Sequence, residues 1–160
     1  MKTLIIYSTK HGTAQKAVNI LKSKLTGEVR IVNIMLEPVN GVEDYDNIIL
    51  GGSIYIGNIQ KKLSSFVNTN LPLLLKKRIG LFLCAAEEDE TLKEKEFRIA
   101  FPPTLFDHAR AKEVFGFELD MEKLNFLEKL AMSKIKGFKT SMFKLSEEKI
   151  DGFAEKMGGV

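Results

Sequence analysis

Thr3-Leu4-Ile5-Ile6-Tyr7, followed directly by Ser8-Thr9-Lys10-His11-Gly12-Thr13-Ala14, decides how this chain folds. The first five residues are apolar, β-branched or aromatic, and read as a buried parallel strand. From Thr13 to Leu25, Ala14, Ala17, Val18, Leu21 and Leu25 recur at helical spacing. Between strand and helix lies a loop of hydroxyls with one glycine and little bulk. At a helix N-terminus the first backbone N–H groups lack partners within the helix and the dipole favours negative charge, so the loop suits an anion. Ser8, Thr9 and Thr13 add hydroxyl donors, while Lys10 and His11 either put positive charge beside the anion or stay solvated. The plainer alternative is a strand-to-helix turn with a Ser or Thr cap. Neither Gly-x4-Gly-Lys-Ser/Thr nor Gly-x-Gly-x-x-Gly occurs here, which sets aside the two commonest nucleotide motifs.

Strand and helix patterns alternate outward from this point, implying an α/β fold with a parallel sheet. Val29–Asn33 reads as a second strand, Asn47–Ser53 as a third, Arg78–Cys84 as a fourth and Glu113–Glu118 as a fifth. Residues 36–46 read as a loop with room for one helical turn. Helices are expected at Lys61–Val67, with Leu71–Leu75 as a short apolar link, and at Thr91–Phe101, stopped by Pro102-Pro103. Two more are expected at Leu124–Ile135 and Ser146–Met157. Five strands with crossover helices fit one doubly wound domain over 1–160, of order 2-1-3-4-5. Ligands in such sheets sit beyond the strand C-termini, at the switch between strands 1 and 3.

Two further loops fall at that edge. Ser53-Ile54-Tyr55-Ile56-Gly57-Asn58 follows strand 3, where glycines let backbone approach a flat ligand and Tyr55 or Ile56 would lie along its face. Tyr55 packed in the core or at an interface is the competing reading. Cys84-Ala85-Ala86-Glu87 follows strand 4, with small residues that leave room and backbone groups that face a ring edge. Cys84 reads as a buried small residue closing a strand rather than as a nucleophile.

The 160 residues suffice for one full core and are too few for two ordinary domains. With 44% hydrophobic and 28% charged residues, a soluble globular domain is expected. No apolar run approaches the roughly 18 residues of a membrane span. The N-terminus has no signal-peptide layout and Cys84 has no partner for a disulfide, so a cytoplasmic setting is expected. One Cys and two His are poorly spaced for zinc. The net charge of +3 is mild and does not indicate nucleic acid, though it suits an anionic membrane surface at the inner face of the membrane, or an acidic partner.

Together, the strand, the Ser-Thr-x-x-Gly-Thr loop, the helix and then Gly51-Gly52-Ser53-Ile54-Tyr55-Ile56-Gly57 resemble the flavodoxin family over the whole chain. The resemblance looks closest to the bacterial menaquinone-dependent protoporphyrinogen dehydrogenases of that family, which share a Gly-x-Ser-Ile-x-x-Gly segment and a helical addition after strand 5. Residues 120–137, ending Met132-Ser133-Lys134-Ile135-Lys136-Gly137, stand where that addition would be. Leu119-Asp120-Met121-Glu122-Lys123 departs from the basic and aromatic residues of the enzymes at its start. Lys10 and His11 depart from the Thr and Gly usual in flavodoxins. The resemblance implies FMN as cofactor, its phosphate on Ser8–Ala14 and its ring between 53–58 and 84–87. It also implies electron transfer with a redox partner protein or a small-molecule or quinone acceptor. Porphyrinogen oxidation, with quinone as acceptor, is the alternative activity; a cofactor-free binding module on the same fold is the alternative from another class. Leu124, Phe126, Leu127, Leu130, Met132 and Ile135 are expected mostly to be buried, with an exposed margin near Met132. Otherwise they would form a surface for a membrane, a quinone or a partner.

Overall fold

The computed structural model describes residues 1–54, 57–86, 89–118, 125–130 and 144–159. Strands β1 (Lys2–Ser8), β2 (Glu28–Asn33), β3 (Asn47–Ser53), β4 (Arg78–Cys84) and β5 (Ala111–Val114) form a five-stranded sheet of order β2-β1-β3-β4-β5. Every neighbouring pair is parallel. The helices are α1 (Thr13–Lys24), α2 (Lys61–Leu74), α3 (Glu90–Ala100), α4 (Pro103–His108) and α5 (Glu147–Lys156). One 3-10 turn spans Val42–Asp44.

Alternation along the strands splits the core into two layers. Leu4, Ile6, Ile48, Leu50, Leu81 and Leu83 face one side, with Leu63 and Val67 of α2, Phe97 of α3 and Leu105 of α4. Ile5, Tyr7, Ile49, Phe82 and Cys84 face the other, with Ala14, Ala17, Val18 and Leu21 of α1 and Ile150, Phe153 and Met157 of α5. Burial on both faces explains why β1, β3 and β4 read as unbroken apolar runs. An aromatic column fixes the second layer. Phe82 stacks on Phe115 with centroids 5.0 Å apart, and Phe115 meets the edge of Phe153 at 5.2 Å. Gly51 makes this possible, because any Cβ there would collide with the Phe82 ring.

The structure corrects three expectations. The helix expected to stop at Val67 continues to Leu74 through Pro72. Asn68, Thr69 and Asn70 look like a linker in sequence but form one polar turn, with Leu74 buried beyond it and the Asn70 side chain donating to Phe66 O at 2.9 Å. The fifth strand pairs at Ala111–Val114, two residues earlier than expected at its start, in register with Gly80–Leu83. The chain leaves the sheet after the Phe115 N–H bonds Leu83 O, and Gly116 then bridges antiparallel to Leu145. Lys112 hid the strand's start, because its ammonium lies over the Phe106 ring at 4.2 Å and its presence broke the apolar pattern. Finally, Phe126, Leu127 and Leu130 are exposed rather than buried. Their short helical turn at 126–130 directs Glu128 inward, which leaves the opposite side to solvent. Leu124, Met132 and Ile135 lie outside the described residues.

Candidate functional site

The site grows from the C-terminal edge of β1, β3 and β4, which the sheet order makes adjacent. Tyr7 and Ser8 register with Gly51 and Gly52, and Ser53 registers with Cys84. The loops after these strands therefore open side by side at the switch between β1 and β3.

Ser8 closes β1 and is fully buried, its hydroxyl donating to Gln60 Oε1 at 2.7 Å. Gln60 is the N-cap of α2, so this bond ties the first loop to the end of the second. Thr9 Oγ1 accepts the Gly12 N–H at 3.0 Å and folds the loop back on itself. Gly12 precedes α1 at φ 90°, a left-handed conformation that costs other residues energy. No side chain caps α1, and no acidic residue occupies its first turn. A Cβ built on Gly12 or on Gly57 would meet nothing within 4 Å among the described residues. At these two glycines the described structure leaves room beside the backbone. Thr13 is buried, its hydroxyl donating to the Glu118 carbonyl at 2.8 Å. Ala14 is buried in the α1 layer.

Charge gathers around this loop from a distance. Lys16 pairs with the Glu118 carboxylate at 2.8 Å. His11 Nε2 lies 2.8 Å and Lys10 Nζ 3.5 Å from Glu128 Oε2. Two carboxylates therefore stand beside a loop whose own backbone favours anions.

In the second loop, Ser53 is buried and its hydroxyl has no hydrogen-bond partner among the described residues, an orphaned donor at the ligand edge. Ile54 packs against the α2-side core, its N–H bonded to Cys84 O at 3.0 Å. Gly57 and Asn58 are exposed. Tyr55, Ile56 and Glu87 lie outside the described residues. In the third loop, burial pushes the Cys84 thiol well above its usual range and keeps it protonated. Ala85 is buried and Ala86 half-buried before Asp89 caps α3 by accepting from Thr91 and Leu92. Among the described residues no cluster of three His, Cys, Asp or Glu is placed to hold a metal, and no helix is long and apolar enough to cross a membrane.

Sequence reasoning did not find Gln60, Lys16, Glu118 or Glu128. Gln60 had a local signal, standing just before an amphipathic helix beside the second loop. The two glutamates had none, since the chain brings them back across more than a hundred positions.

A short-chain flavodoxin associated with a non-canonical PDU bacterial microcompartment superposes with a TM-score of 0.62 at 16% identity, covering 99% of this chain and 97% of that one. The Streptococcus pneumonia TIGR4 flavodoxin superposes with a TM-score of 0.59 at 14% identity, covering 99% and 98%. A Fusobacterium nucleatum flavodoxin bound to flavin mononucleotide gives 0.55 at 16% identity, covering 98% and 96%. At these identities the likeness speaks for the fold. No curated protein matches the chain. The flavodoxin domain model matches residues 4–144, which runs from within β1 through β5 and takes in the loops at their C-terminal edge; the chain belongs to the flavodoxin domain family.

Proposed function

We propose that the protein binds FMN at the edge formed by the loops after β1, β3 and β4, and passes electrons between a donor and an acceptor. The observation that carries this reading is the N-terminus of α1, with no side-chain cap, reached through a hydroxyl-rich loop that leaves room at Gly12, at the switch point. The donor set fits the cofactor. Backbone N–H groups of Thr13 and Ala14 and the Thr9 hydroxyl would hold the phosphate, with the Thr13 hydroxyl joining them on leaving the Glu118 carbonyl. Ser8 would act through Gln60, since its proton is already given to that side chain. The orphaned Ser53 hydroxyl and the backbone near Gly57, Asn58, Ala85 and Ala86 would border the ring. Tyr55, Ile56 and Glu87 enter this reading on sequence alone. Bound FMN supplies reversible electron uptake; the chain's part is to bind, orient and shield it. A flavodoxin of the same fold is described bound to flavin mononucleotide, which supports the assignment. The test is calorimetric titration with FMN and riboflavin, alongside an absorbance spectrum of the purified protein. Binding of FMN that exceeds riboflavin is expected, and no flavin binding at all would refute the proposal.

Oxidation of a porphyrinogen with a quinone acceptor is the second reading. It rests on the resemblance of residues 51–57 and on the long stretch between β5 and α5. An anaerobic assay of the FMN-loaded protein with protoporphyrinogen and a quinone decides between carrier and enzyme. Residence at the inner face of an anionic membrane belongs to this second reading, and liposome co-sedimentation at low and high salt tests it.

A further inference from the structure

The Thr13 hydroxyl and the cationic side chains nearest the loop are already engaged by the chain itself. Thr13 gives its hydroxyl proton to the Glu118 carbonyl, and Lys16 holds the Glu118 carboxylate through both oxygens at 2.8 and 2.9 Å. Lys10 and His11 converge on a single oxygen of Glu128, whose side chain is only 11% exposed. Glu128 is set there by its own short helix, because Asn125 accepts the Glu128 N–H at 2.8 Å and so starts the turn. Among the described residues, the Glu118 and Glu128 carboxylates offset the Lys16 and Lys10 ammonium groups that would draw in a phosphate.

We propose that Glu128 is an internal anion that competes with a ligand phosphate for the loop Ser8–Thr13, so that phosphate binding displaces Glu128 from Lys10 and His11. This rests on the loop being the phosphate site proposed above. A phosphate dianion entering beside Thr9 and Thr13 would meet the Glu128 carboxylate at close range, in a partly buried site where like charges repel strongly. Release of Glu128 removes that repulsion and returns Lys10 and His11 to the incoming oxygens. Glu118 differs, since its hold on Thr13 is through backbone and survives loss of its charge.

Calorimetry on the whole chain and on Glu128→Gln and Glu128→Ala, with FMN, riboflavin and inorganic phosphate as probes, tests this. Both variants should bind FMN about tenfold more tightly than the wild type and riboflavin no differently, because riboflavin lacks the phosphate. Hydrogen exchange at residues 126–130 should speed up when FMN is added to the wild type. Equal or weaker FMN binding by the variants overturns the inference, as does exchange that slows on adding FMN. If no protein binds FMN but the variants hold inorganic phosphate more tightly, the cofactor assignment fails and the role of Glu128 stands. If phosphate then binds all three equally, both fail.

Discussion

The Ser8 hydroxyl and the Gln60 side-chain amide oxygen lie 2.7 Å apart, joining the end of β1 to the start of α2 across 52 positions. Gln60→Ala leaves a fully buried hydroxyl without its acceptor, at a cost of about 1–3 kcal/mol. Gln60→Glu keeps an acceptor and should hold stability within about 0.5 kcal/mol, while its charge weakens FMN binding. Urea denaturation and calorimetry separate the two effects. Equal stability of Gln60→Ala and wild type would show that the bond does not organise the loop.

Thr13→Ala should weaken FMN binding by roughly 10- to 150-fold, the worth of one charge-assisted hydrogen bond of about 1.5–3 kcal/mol. Riboflavin affinity should not change. An unaltered dissociation constant for FMN would leave the Thr13 hydroxyl with only its structural bond to the Glu118 carbonyl.

Gly12→Ala separates strain from crowding. There is room for the new methyl group, so the cost is the left-handed backbone alone, about 1–2 kcal/mol in thermal or urea unfolding. A loss well beyond that would mean the loop is packed more tightly than its geometry shows.

Cys84 imposes a pH dependence. Burial raises the folded thiol above the 9.0 of a free cysteine, so it stays protonated while the unfolded chain ionises. The stability it contributes is whole below about pH 9 and falls as pH rises, by about 1.4 kcal/mol per unit. Cys84→Ala should remove this slope between about pH 9 and 10, read from urea midpoints. The same burial should make the native thiol inert to iodoacetamide. Rapid alkylation of folded protein would contradict it.

The strands buried on both faces were the most legible part of the sequence. Asn47–Ser53 and Arg78–Cys84 match their expected bounds, because nothing polar interrupts an element covered by helices on both sides. Elements that meet solvent misled. The Asn68-Thr69-Asn70 turn hides the second half of α2, and Lys112 hides the start of β5. At the candidate site, the composition of the loops pointed to the edge after β1, β3 and β4, since hydroxyls and glycines declare themselves locally. The pairing of His11 with Glu128 could not be read, because it depends on where the chain goes after leaving β5 rather than on any neighbouring residue.

The layer in which Ala17, Val18 and Leu21 of α1 pack with Ile150, Phe153 and Ala154 of α5 unites the helix that follows β1 with one that comes after β5. During synthesis, α1 leaves the ribosome with one flank bare and receives its last cover only when α5 follows. Long-range closure of this kind is slow compared with local helix formation. The loop that α1 anchors is thus translated well before the helix that completes its frame. A nascent chain stalled before Ile150 would display a hydroxyl-rich loop on an unsupported helix, with the apolar flank of α1 open to chaperones.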